Sequence, residues 1–253
     1  RAIFSEKESV GKALLLMILL FSVLLSVAKQ VYLPLIGMIF LIPARKFNGL
    51  SKKTFYCGVV FAAVLVATGL WSMVIRDLYN PYNEADAPQQ LSLIMARPWM
   101  FPVIVFNSLL VSWKGLFVSF IGVLGFLDVW LPNWIYFTYP FLLLIAALFD
   151  PECRRPMGLI SRFWILLICI AAFLLIELSM YLTWTEPGSP IVFGVHGRYF
   201  LPLAVPLLLA LFYNSWLKLP HRRFFPLAVT LYSAFVLATA CWAVYGRYFG
   251  PVS

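Results

Sequence analysis

Nine apolar runs, separated by short polar or proline-bearing breaks, organise this chain. They fall at about 12–28, 31–44, 55–75, 98–113, 116–131, 134–149, 160–184, 199–217 and 225–246. Uncharged runs near 20 residues predict helices that cross a bilayer, whose hydrocarbon core is about 30 Å thick. Several runs are shorter. The run at 31–44 carries Pro34 and Pro43, and the region 98–149 is interrupted by Pro102, Lys114, Gly115 and Pro132. Short or broken helices are tolerated in membranes where protein or a water-filled cavity covers the freed backbone groups. These segments are expected inside the bundle or beside a cavity, with re-entrant hairpins as the alternative. The fold expected is all-α: a polytopic transmembrane helical bundle of about nine spans, forming one transmembrane domain over residues 1–253.

The longest stretch outside these runs is RDLYNPYNEADAPQQLSLIMAR, Arg76 to Arg97. Loops beyond about 12–15 residues are uncommon unless functional or disordered. Its LSLIMA portion can form a short helix lying on the membrane surface.

Composition agrees with the pattern. Of 253 residues, 63% are hydrophobic and 11% charged, against about half and about a quarter in soluble domains. That excludes an ordinary soluble enzyme, a disordered chain and a disulfide-stapled secreted module. Cys57, Cys153, Cys169 and Cys241 show no CxxC spacing and read as small packing residues.

The net charge of +9 is read as cytoplasmic positive charge rather than as a nucleic-acid surface. Arg45, Lys46, Lys52 and Lys53 form one basic loop, and Lys218, Arg222 and Arg223 another. Arg154, Arg155 and Arg162 make a third net basic despite Asp150 and Glu152. The intervening loops hold Asp77, Glu84, Asp86, Asp128 and Glu186. Nine spans that start inside and end outside satisfy all of these loops, with Lys114 at an inner turn and Asp128 at an outer one. The chain starts at Arg1 with RAIFSEKESVGK, a poor signal peptide. It is expected to be the carboxyl-terminal part of a longer protein, lacking earlier spans.

Four features on the predicted outer side could carry chemistry. Asp77, Glu84 and Asp86, with Gln89 and Gln90, could supply a general base or oxygen ligands to a divalent metal; the alternative is a solvated acidic loop. GVHGRYFLP places His196, Arg198 and Tyr199 at a membrane boundary. Arg198 offers a rigid fork matched to phosphate oxygens, or else is a snorkelling interfacial charge. Tyr199 could equally be an interface anchor, and His196 a proton carrier or a structural hydrogen-bonding residue. Glu177 lies inside an apolar run, about two turns from its outer end. Ionisable groups at such depth are functional candidates; otherwise it snorkels or pairs with a neighbouring helix. Asp128 could cap a helix or turn, beside Gly122 and Gly125 at a spacing suited to close helix packing. No Walker loop, GxSxG, HExxH or dinucleotide fingerprint occurs.

Three segments, AKQVYLPLIGMIFLIPARKF, IGVLGFLDVWLP and GVHGRYFLPLAVPLLLAL, resemble in order stretches of the bacterial predicted membrane proteins grouped as domain of unknown function 2142. The last motif usually reads GVQGRYF, so His196 stands where Gln is typical, and Phe126 stands where Trp is frequent. That family is similar to the GT-C superfamily of membrane glycosyltransferases. The resemblance implies an enzyme that takes a sugar from a polyprenyl-phosphate carrier at the outer face of the bacterial cytoplasmic (inner) membrane. It also implies a catalytic acid in a first outer loop, which would lie upstream of residue 1.

The function expected is therefore a GT-C-like glycosyltransferase, or its carboxyl-terminal part, serving cell-envelope polysaccharide. Arg198 would bind carrier phosphate, with Tyr199 and His196 shaping the site. Asp77, Glu84 and Asp86 would contact acceptor or a divalent ion, Mg²⁺ or Mn²⁺. Asp128 and Glu177 complete the candidate substrate-binding set. The expected partners are membrane lipid and a polyprenyl-phosphate-linked sugar, with no nucleic acid. The rival classes are a transporter or flippase of lipid-linked sugars, for which Glu177 would matter, and a non-catalytic scaffold.

Overall fold

A computed structural model describes residues 9–78, 84–148, 157–212 and 224–250. The basic loop at 218–223, and Asp150, Glu152, Cys153, Arg154 and Arg155, lie outside the described residues. The helices are α1 (Lys12–Ala28), α2 (Leu50–Ile75), α3 (Ala87–Ala96), α4 (Met100–Gly122), α5 (Asn133–Leu148), α6 (Leu159–Trp184), α7 (Leu201–Phe212) and α8 (Phe224–Phe249). A two-stranded antiparallel hairpin, β1 (Val123–Leu124) and β2 (Val129–Trp130), pairs Val123 with Trp130 and Leu124 with Val129.

Four helices, α2, α4, α6 and α8, are long and apolar enough to cross a membrane. At about 1.5 Å per residue, the 26 residues of α6 rise about 39 Å, more than the hydrocarbon core needs. Large apolar side chains stand exposed along these helices, among them Phe55, Leu65, Phe106, Ile170 and Trp242. Lipid tails accept such surfaces where water would not. The chain is an all-α integral membrane protein, and membrane lipid is its surrounding partner.

The chain divides into two compact units: Arg1–Ala96 with Leu167–Ser189, and Arg97–Leu166 with Pro190–Ser253. In the first, α1 and α2 pack with a tight 3₁₀ segment, Gln30–Leu41, between them. Pro34 sits inside that segment. It lacks the N–H that an α-helical ladder would use, so the run at 31–44 does not become a regular span. Ile36, Ile39 and Ile42 meet Cys57, Val60 and Val64 of α2 to form the core. Gln30 Nε2 donates to Ser72 Oγ at 3.0 Å, and the Tyr56 hydroxyl donates to the Leu15 carbonyl. Lys52 and Lys53, expected in a basic loop, lie in the first turn of α2, where Lys53 Nζ donates to the Phe40 carbonyl at 2.8 Å. Lys46 is buried, and burial together with the neighbouring Arg45 charge lowers its ammonium pKa.

In the second unit, Leu131, Ile135 and Tyr136 pack against Val236 of α8. Tyr136 ties the hairpin down: its hydroxyl donates to the Gly122 carbonyl at 2.9 Å and accepts from Leu131 N–H at 3.0 Å.

Two expectations are corrected here. The inner turn at Lys114 does not form, so α4, as a single span, does not leave the 76–97 loop and Asp128 on the same side. The runs at 98–113 and 116–131 share one continuous helix, α4, which passes through Lys114 and Gly115 and ends at Gly122. Lys114 stays exposed on that helix with its ammonium 5.6 Å from the Trp113 ring centroid. A long alkyl stem and a cation–π contact let it remain helical without a break. Gly122 and Gly125, expected at a helix–helix contact, instead end α4 and turn the hairpin. Gly125 has φ +63°, a backbone conformation open to glycine. Cys57 and Cys169 are buried, as packing residues should be, but Cys241 is exposed on α8.

Candidate functional site

The GVHGRYFLP segment is held by two serines of α4. Ser108 Oγ accepts the Val192 N–H at 2.7 Å and donates to the Ile104 carbonyl at 2.7 Å. Ser119 Oγ accepts the Gly197 N–H at 2.7 Å and donates to the Gly115 carbonyl at 2.6 Å. The serines are three helical turns apart, a rise of about 16 Å. The five residue steps from Val192 to Gly197 also span about 16 Å when extended. Both ends of the segment are therefore tied to α4, with a bend at Gly194, φ +78°, between them. At its end Gly197 lies directly on the helix backbone. A Cβ there would stand 1.9 Å from the Leu116 carbonyl oxygen and 2.4 Å from the Phe120 nitrogen. Only glycine allows this approach.

That clamp sets the next residues. Gly197–Phe200 makes one 3₁₀ turn that leads straight into α7. Tyr199 N–H closes the turn on the His196 carbonyl at 3.0 Å. The Arg198 guanidinium is exposed and lies 5.8 Å from the Tyr199 ring centroid. No carboxylate among the described residues pairs with it. The His196 ring meets Tyr199 edge-on at 5.8 Å. Burial, then the Arg198 charge, lowers the His196 pKa, which favours the neutral ring. His196, Arg198 and Tyr199 thus form one cluster: an unpaired cation braced by an aromatic ring, beside a neutral imidazole.

Asp128 belongs to the same unit and has a different task. Its Oδ1 accepts the Phe126 N–H at 3.0 Å, which closes the hairpin turn. The same oxygen accepts the Tyr248 hydroxyl at 3.0 Å, and Oδ2 accepts Arg247 Nε at 3.0 Å. Partial desolvation pushes the carboxyl up. Hydrogen bonds from Tyr248 and backbone N–H groups, with the Arg247 charge, outweigh it and hold the pKa below the usual value. Asp128 is the clasp between the hairpin and the end of α8, with its oxygens committed to protein donors.

The remaining candidates lie in the first unit. Asp86 begins α3: its Oδ1 accepts the Gln89 N–H at 3.0 Å, the standard duty of an N-cap. Glu84 is exposed, with φ +58°. The side chain of Asp77 lies outside the described residues. Among the described residues no three of His, Cys, Asp and Glu gather as metal ligands.

Glu177 does not snorkel, and no described residue forms an ion pair with it. It is 1% exposed, and its Oε2 has no hydrogen-bond partner. An unsatisfied carboxyl oxygen at this depth is costly.

Gln90 is the residue that sequence reasoning misjudged. It was grouped with a solvated acidic loop, yet it is fully buried. Its Nε2 donates to the Tyr181 carbonyl at 3.1 Å and the Glu186 carbonyl at 3.2 Å, and its Oε1 accepts the Gly188 N–H at 2.9 Å. Tyr181 is in the last turn of α6, whose carbonyls have no intrahelical donors. Ser108 and Ser119 were also missed. They stand three turns apart on a helix that also carries Asn107, Ser112 and Lys114, so nothing local marks them out.

No curated protein and no solved structure matches the chain. A family model described as predicted membrane protein (DUF2142) matches residues 1–207, which include His196, Arg198 and Tyr199 but not Arg247 and Tyr248. The chain therefore belongs to the DUF2142 family of predicted membrane proteins.

Proposed function

We propose that this chain is a GT-C-like membrane glycosyltransferase, or part of one, that uses a polyprenyl-phosphate-linked sugar at the outer face of a bacterial cytoplasmic membrane. Its product would feed cell-envelope polysaccharide. The observation that carries the reading is Arg198: an exposed guanidinium, unpaired among the described residues, fixed by a clamped turn at the start of an apolar helix. A planar fork of N–H donors matches two oxygens of a lipid phosphate. Tyr199 limits where that fork can point, which reduces the entropy lost on binding. The neutral His196 ring can hydrogen-bond a sugar hydroxyl without adding a second cation. Apolar surfaces on the short helices suit a prenyl chain.

Replacing Arg198 by Ala in the full chain is expected to abolish sugar transfer while the protein stays folded and monodisperse. Arg198→Lys keeps the charge but loses the two-pronged geometry, and should retain only a small fraction of activity. Transfer by Arg198→Ala at the unaltered rate defeats the assignment.

A second reading has its own observation. Glu177, buried in a span with an unpartnered oxygen, suits a transporter of lipid-linked sugars, where intramembrane carboxyls relay protons or contact cargo. Proton-coupled transport in vesicles that vanishes in Glu177→Gln would favour it over sugar transfer.

A further inference from the structure

The circumference of α3 divides into three strips. Ala87, Gln90 and Ile94 face the protein, with Gln90 buried and the other two half-buried. Pro88, Leu91 and Met95 share one flank at i, i+3 and i+7, all exposed; Leu91 is 47% and Met95 74% exposed. Gln89, Ser92 and Ala96 share the other flank, also exposed. One flank is apolar; the other is polar or small, with Leu93, 44% exposed, at its edge between Gln89 and Gln90; the helix is too short to cross a membrane.

Depth follows from what holds α3. Gln90 bonds the carbonyl of Tyr181, in the last turn of α6, and Glu186 and Gly188 just beyond it. Because α6 rises about 39 Å and the hydrocarbon core is about 30 Å thick, its last turn lies at the boundary between acyl chains and headgroups. Asp86 caps the start of α3, and Ser92 Oγ donates to the Gln89 carbonyl at 2.7 Å on the exposed polar flank.

We infer that α3 is an interfacial helix whose Pro88–Leu91–Met95 flank rests in the lipid bilayer at the end of α6, while Gln89 and Ser92 face water. Its occupant is bilayer lipid, the solvent already required by the exposed apolar faces of the spans. Buried apolar area holds the flank in the interface, and the Gln90 bonds fix the rotation that presents it. The inference does not depend on whether the chain transfers sugar.

The test is spin-label accessibility in the full chain, reconstituted in nanodiscs of phosphatidylethanolamine and phosphatidylglycerol. The four native cysteines are first replaced by Ala. Single variants Leu91→Cys, Met95→Cys, Gln89→Cys and Ser92→Cys are then labelled, with Pro88→Cys as a substitute should one apolar-flank variant fail to fold. Relaxation by oxygen, which concentrates in lipid, is compared with relaxation by a water-soluble nickel chelate. The oxygen-to-nickel ratio is expected to be several-fold higher at 91 and 95 than at 89 and 92. Equal nickel accessibility at all four positions overturns the inference by placing α3 in water. Shielding of 91 and 95 from both reagents also overturns it, because a protein surface would then cover the flank.

Discussion

Replacing Gln90 by Leu removes the polar ties of α3 with little change in side-chain volume. The native amide makes three hydrogen bonds of 2.9 to 3.2 Å from a position with no solvent exposure. At about 1 kcal/mol net for each neutral bond, the loss is about 3 kcal/mol. The Tyr181 and Glu186 carbonyls and the Gly188 N–H would also be left without Gln90, so the cost rises wherever water does not reach them. Because α3 is short and joined by loops, the loss should appear as local opening rather than global unfolding. A weakening of about 3 kcal/mol corresponds to faster amide exchange by about two orders of magnitude, at roughly 1.4 kcal/mol per decade. The assay is hydrogen exchange with mass spectrometry on wild type and Gln90→Leu in nanodiscs, following residues 87–96 and 186–189 beside a control segment in α2. Expected is a selective gain of about 100-fold in those two segments, with α2 unchanged. Unchanged exchange over 87–96 would refute the claim that Gln90 anchors the helix.

Other outcomes follow from the same geometry. Gly197→Ala should destabilise the second unit by about 3 kcal/mol or more, since a rigid helix backbone stands where the methyl would go; thermal unfolding in detergent reads this, and a wild-type melting point would contradict the close approach. Asp128 has a folded pKa below its ordinary value near 3.8. Its stabilisation is complete above that value and is lost as pH falls through the lowered folded value. The protection of the Phe126 amide, relative to the intrinsic exchange rate at each pH, should fall there in wild type, and in Asp128→Asn it should be low already at neutral pH. Glu177→Gln removes the option of a buried unpaired charge, so the variant should melt no lower than wild type; a large drop in melting temperature would show that the carboxylate is paired after all. A higher melting temperature with lost transport or transfer would mark Glu177 as a site where stability is given up for function.

The amino-acid sequence by itself determined the class of molecule. Long uncharged runs with little charge between them can be satisfied only by helices in lipid, because the backbone must bond to itself there. The ends of α1, α2, α6 and α8 were legible within a few residues for that reason. So was the turn at Asp128, since an Asp flanked by Gly125 and Pro132 has a local use for its carboxylate. The cluster of His196, Arg198 and Tyr199 was visible too, as neighbours along the chain.

Tertiary structure decided what depends on distant partners. Lys114 reads as a break, but a flexible stem and an aromatic neighbour let α4 continue through it. Gln90 reads as polar loop, but carbonyls at the end of α6, 91 and 96 residues away, bury it. Asp128 reads as a local cap, but Arg247 and Tyr248, 119 and 120 residues along, also claim its oxygens. Ser108 and Ser119 give no hint of the segment they hold until the chain returns beside them at Val192 and Gly197. Hydrophobic pattern is a local property that sets which residues leave water. A hydrogen bond between remote segments exists only once the helices have packed, so the assignment of each polar group waits on the fold.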